Sequence, residues 1–188
     1  MKGTENLTIS SRERSGRTKR SNGLKNLLSG TAEALYTHGY GKQVNLARLA
    51  TRHSLSEATF YNYFESTGKA ALTVLDATFE ENFKLMKVDS PTLRDASKVF
   101  LNTIRMYPGI SQAIVEEQVR TGITSGGLLP LTSKLIGGIV SNEIESGITR
   151  TDYSSGELVN TVISFLTAVA LNPYAQEQFE ILRQGMNT

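Results

Sequence analysis

Ala58, Thr59, Tyr61 and Asn62 lie within five consecutive residues, and their types suit contact with DNA. On a helix turning about 100° per residue, Phe60 and Phe64 fall on one side with Tyr63 beside them. Ala58 and Asn62 fall opposite, flanked by Thr59 and Tyr61. One face is aromatic and needs a core. The other is small and polar and fits a major groove, where short side chains let the backbone come close and an asparagine pairs its amide with adenine. Taken alone, the same pattern is also that of an amphipathic helix with an ordinary solvent face.

Other chemistries find little material. The chain has no cysteine, so it offers no disulfide, thiolate metal site or thiol nucleophile. Its two histidines, His38 and His53, have no acid or nucleophile at motif spacing. His38 reads as a cation at a helix C-terminus and His53 as a packing residue. Gly126-Gly127 and Gly137-Gly138 are isolated pairs rather than a phosphate loop. The sequence therefore predicts neither an enzyme nor a cofactor or metal site.

The elements that must position this face are helical. Residues 1–22 are polar, with Arg12, Arg14, Arg17, Lys19 and Arg20 clustered, and read as a flexible basic arm. From Leu24 onward, Leu27, Leu28, Ala32, Leu35 and Tyr36 recur at three- and four-residue spacing. Gly39 can end that helix in the left-handed C′ position. Asn45 is a natural N-cap for a short second helix burying Leu46, Leu49, Ala50 and His53. Ser54-Leu55 makes a tight turn, and Ser56 caps a third helix running to about Phe64. Further helices are expected over about 69–87, from Leu93 to Pro108, over 111–121 and 131–146, and from the Ser154–Glu157 capping pair to Leu171. Residues 122–127 read as a loop, and Asn172-Pro173 starts a ninth helix. No alternating runs of strand length occur. The expected fold is all-α, about nine helices: a helix-turn-helix domain over 23–68 and a helical regulatory and dimerisation domain over 69–188.

Charge follows this division. Residues 1–70 hold 11 Lys/Arg against 5 Asp/Glu, and residues 71–188 hold 9 against 13. A basic end on a mildly acidic body suits a polyanion partner, and suits a solvated basic tail equally well on charge alone. The N-terminus lacks an apolar signal segment, and the longest apolar stretch, Leu158 to Leu171, is interrupted by Asn160, Thr161, Ser164 and Thr167. A cytoplasmic protein without a membrane partner is expected.

Ala32, Leu35, Tyr36, Gly39 and Tyr40, then Leu46, Leu49 and Ala50, then Leu55-Ser56 with Ala58-Thr59-Phe60-Tyr61 and Tyr63-Phe64, resemble the N-terminal domain of TetR-family regulators over about 40 residues. Three departures stand out. Ser54 occupies the turn position where that family usually has glycine, the loop before Asn45 is one residue longer, and the stretch from Phe64 to Lys69 is two residues longer. Glu57, at the start of the third helix, either accepts from a cytosine amino group or complements the helix dipole; the dipole reading is the simpler.

The resemblance implies a homodimer on a pseudo-palindromic, double-stranded DNA operator, with recognition helices about one DNA turn apart. Base-edge contacts fall to Ala58, Thr59 and Asn62, and phosphate contacts to Asn45, Arg48, Tyr61 and Lys69. The arm's arginines would add minor-groove or phosphate contacts. Dimerisation is expected through Val162, Phe165, Leu166 and Val169 with Phe179 and Leu182, although the same stripes could pack within one subunit. A small-molecule effector that releases the DNA is expected among Phe83, Met86, Phe100, Ile104, Tyr107, Gln112, Glu116 and Gln118, several of which core packing would explain equally well. Control by a protein partner is the alternative.

Overall fold

In the computed structural model the described residues are 11–52, 55–148 and 154–171, with side chains from Ser21 onward. Among them are nine helices and no strand: α1 (Ser11–His38), α2 (Leu46–Ala50), α3 (Glu57–Tyr63), α4 (Thr67–Leu85), α5 (Leu93–Met106), α6 (Ile110–Thr121), α7 (Ser125–Leu128), α8 (Pro130–Glu145) and α9 (Ser155–Leu171). The all-α expectation is met.

Several boundaries follow from the predicted caps. Gly39 has φ +73° and donates its amide to Leu35 O at 2.9 Å, closing α1. The Asn45 and Ser56 side chains accept from Arg48 N and Thr59 N, at 3.0 and 3.1 Å, to open α2 and α3. Ser154 and Glu157 exchange hydrogen bonds at the start of α9.

Other boundaries differ from expectation. Helix α1 begins at Ser11, so residues 11–22 continue the first helix instead of forming a flexible arm. Apolar periodicity reports a buried face, not helix formation. This stretch is rich in Arg and Lys and free of proline, so only Gly16 weakens the helix locally. Helix α2 stops at Ala50, where Thr51 turns its hydroxyl onto Ala47 O at 2.9 Å. The expected 122–127 loop contains α7, seated by the buried Ser125, whose hydroxyl accepts from Gln118 Nε2 at 2.8 Å. Because of α7, the described helices number nine. The expected helix from Asn172-Pro173, like His53 and Ser54, lies outside the described residues.

Two apolar cores meet along α1 and α4. The smaller joins Leu27, Ala47, Ala50, Phe60 and Phe64 to Ala70, the last on α4. The larger runs from Leu35 and Leu46 through Leu72, Leu75, Phe79, Phe100, Ile114 and Ile136 to Ile163 and Leu166. Helix α4 packs on α1, α5, α6 and α8, and α9 covers α5 to α8. The end of α1 therefore belongs to the body as much as to the three-helix unit. A cut between residues 68 and 69 would split both cores.

Candidate nucleic-acid interface

The face proposed to read bases is presented by a small, firmly anchored helix. Phe60 is fully buried, with Phe64 5.2 Å and Tyr61 5.3 Å away between ring centroids. Truncating such a core phenylalanine costs about 3–5 kcal/mol. Tyr63 turns back toward α1, where its hydroxyl lies 3.0 Å from the position a Cβ on Gly23 would take. A side chain at Gly23 would make the Tyr63 hydroxyl shift by a few tenths of an ångström.

With Phe60 inward, Glu57, Ala58, Tyr61 and Asn62 are exposed. Thr59 is half-buried, and its hydroxyl shares a 2.9 Å hydrogen bond with Ser56 Oγ. The structure thus groups Ala58, Tyr61 and Asn62 on one open face with Thr59 at its edge. Arg48 and Arg52 are exposed at the end of α2. The Asn45 carbonyl is committed to capping, so only its amide remains for a phosphate.

Lys69 sits differently. Its backbone amide donates to Ser66 Oγ at 2.8 Å, and its charge helps keep the Glu117 carboxyl of α6 ionised. Lys69 is therefore tied electrostatically to the body as well as lying near the three-helix unit.

The expected effector residues divide into two groups. Phe100, Ile104 and Tyr107 are core residues: Phe100 is fully buried with its ring 5.7 Å from Phe79, and Tyr107 shares a 3.0 Å hydrogen bond with Thr78. Phe83 packs on Phe79 at 5.8 Å, and Met86 caps the end of α4. Gln112 and Glu116 lie elsewhere. Gln112 Nε2 donates to Glu116 Oε1 at 2.8 Å, and Glu116 Oε2 accepts from the Tyr40 hydroxyl at 2.9 Å. Glu116 lines an open cleft of about 220 Å³ with Tyr40, Lys42, Val44, Leu46 and Thr67.

The expected dimer stripe is rotated. Leu166 and Val169 are buried inside the subunit, Val162 is half-buried and Phe165 is exposed. Leu166 belongs to the larger core and Val169 is buried beside it on α9, so neither is open to a partner. Phe179 and Leu182 lie outside the described residues. Among those residues, no helix is long and apolar enough to cross a membrane and no acidic or histidine cluster suits a metal ion.

A second group was not anticipated. Glu117 is buried, accepts from Ser66 Oγ at 2.7 Å, and is gripped by Arg120 at 2.6 Å. Burial raises its pKa, but hydrogen bonds from Arg120 and Ser66, with the charges of Arg120 and Lys69, outweigh that and hold the carboxyl below its ordinary value. The signal was present in the sequence: Ile110, Ala113, Ile114 and Glu117 form one stripe at helical spacing.

No family model matches the chain, nor does any curated protein or solved structure.

Proposed function

We infer that this protein is a DNA-binding transcriptional regulator of the helix-turn-helix, TetR-like type, acting as a homodimer on a pseudo-palindromic operator. One observation carries the reading: α3 buries Phe60 and Phe64 while turning Ala58, Tyr61 and Asn62 outward together. A short helix so anchored can enter a major groove without unfolding its own core. Arg48 and Arg52 beside it supply phosphate contacts, which position the protein but do not select sequence.

Regulation requires a partner that binds one state better than another. A small molecule that lowers operator affinity is the first reading. Control by a protein partner is the second, favoured by the burial of Phe100, Ile104 and Tyr107, which pack as core residues where effector contacts were expected.

The test is a gel-shift with DNA flanking the protein's own gene, repeated with a panel of small molecules. Specific retardation that one compound abolishes supports the first reading. Retardation that no compound affects favours the second. Failure to bind any such DNA at low salt removes the reading altogether.

A further inference from the structure

Two neighbouring residues of α6 reach the two connections that flank the α2–α3 pair. Before α2, the Tyr40 hydroxyl donates to Glu116 Oε2 at 2.9 Å. The same connection crosses the start of α6, where Tyr40 N donates to Pro108 O at 2.7 Å. Gly109 lies so close there, at φ +80°, that a Cβ would strike the Tyr40 carbonyl. After α3, Ser66 Oγ donates to Glu117 Oε1 at 2.7 Å, and Arg120 links Glu117 to Glu65 across 3.7 Å. Gly68 leaves room for that carboxylate, since a Cβ there would lie 2.5 Å from Glu117 Oε1.

Consecutive helix residues point about 100° apart, which lets Glu116 and Glu117 diverge toward opposite ends of the DNA unit. The apolar contact of α1 with α4 resists separation but is non-directional. Hydrogen bonds weaken steeply when misaligned. Polar attachments at both ends therefore set an angle that the apolar contact alone would leave soft.

The geometry points to Glu116 and Glu117 as positioning residues: together they fix the orientation of α3 on the body. This rests on the regulator reading for its consequence but not for its physics. Neither residue touches DNA. They act through Tyr40 and Ser66.

The chain has no cysteine, so spin labels placed by Glu57→Cys on α3 and Lys134→Cys on α8 report how α3 sits on the body, provided that the labelled chain is diluted with excess unlabelled chain to remove distances between subunits. Both positions are exposed and outside the attachments. In the full-length labelled chain the interspin distance distribution should be narrow. The added pair Tyr40→Phe and Glu117→Ala should broaden or shift it while leaving the Ser66 cap on α4 intact. An unchanged distribution in the folded double variant would overturn the proposal. Should that variant fail to fold, Tyr40→Phe and Glu117→Ala made singly, each releasing one of the two connections, decide the question by the same measure. On operator DNA the double variant should bind about tenfold more weakly, a loss the size of one directed interaction. Broadened distances with unchanged operator affinity would overturn the role in recognition. A parent chain that binds no DNA would instead remove the regulator reading, and the distances would still decide the attachment.

Discussion

The Asp76 carboxylate, midway along α4, holds the first turn of α8 through Thr132. It accepts from Thr132 N at 2.8 Å, from Thr132 Oγ1 at 2.7 Å and from Leu131 N at 2.9 Å. Asp76 and Thr132 are both buried, and Pro130 occupies the first turn of α8, where a missing amide costs nothing. A carboxylate at a helix N-terminus meets unpaired amides and the positive end of the dipole. Asp76→Ala leaves those amides buried without a partner and should destabilise the protein by about 2–4 kcal/mol. Denaturant unfolding should show a lower midpoint with an unchanged slope. A change below about half a kcal/mol would mean that water replaces the carboxylate.

Asp76 also marks how far the sequence could be read. Caps are local, so Gly39, Asn45, Ser56 and the Ser154–Glu157 pair were legible one by one. The aromatic face of α3 was legible for the same reason, since Phe60 and Phe64 declare a period. Asp76 lies beside Leu72, Leu75 and Phe79 on the buried stripe of α4, as Glu117 does on α6, so burial of a carboxylate was visible. What the stripe does not encode is the partner. Thr132 lies 56 residues beyond Asp76 and Ser66 lies 51 residues before Glu117, and no local pattern links them. The rotation of α9 was illegible too. Val162, Phe165, Leu166 and Val169 share a stripe in sequence, and only packing decides which edge faces in.

Tyr40 should titrate late. Its pKa is raised from 10.0 to about 12 by burial, then by its hydrogen bond to Glu116 and the charge of that carboxylate. The folded state thus holds this proton more tightly than the unfolded chain does. The resulting stability is fully present below pH 10 and is lost as pH rises toward about 12. An ultraviolet titration should show a late tyrosine step, and Tyr40→Phe should remove it. A late step that survives Tyr40→Phe would place the perturbed tyrosine elsewhere.

Glu117 gives the opposite sign. Its folded pKa is lowered, so its contribution is present above the unfolded value of 4.5 and is lost as pH falls through the folded one. Stability should decline in acid, and Glu117→Gln should flatten that decline; it should also bring the Tyr40 step slightly earlier, because the Glu117 charge helps to raise it. Equal acid slopes in parent and variant would show that Arg120 and Ser66 do not hold the charged form.

Asn62 and Arg48 should separate specificity from affinity. Both are exposed on the proposed DNA side. Asn62→Ala should cost about 1–3 kcal/mol on cognate DNA and little on random sequence, because a base-edge contact discriminates. Arg48→Ala should weaken both alike and reduce the salt slope by about one. Fluorescence anisotropy across a salt series measures both quantities. Equal loss on cognate and random DNA for Asn62→Ala would remove its base-reading role.

The rotation of α9 changes where a dimer must form. Thr161, Ser164, Phe165, Ala168 and Leu171 are exposed at three- and four-residue intervals, while Val159, Ile163, Leu166 and Val169 are buried. An isologous pairing on this helix would bury Phe165 of both subunits, so one substitution acts twice. Phe165 is 48% exposed, and covering that surface on both copies is worth at least about 2 kcal/mol, or roughly thirtyfold in dissociation constant. Phe165→Glu should therefore convert a dimer to a monomer with an unchanged helical spectrum. Leu166→Glu places a charge in the core and should unfold the subunit instead. Sedimentation equilibrium over a concentration series distinguishes the two outcomes. A Phe165→Glu protein that stays as dimeric as its parent would place the interface on another face, and a parent that is monomeric at every concentration would rule out the homodimer.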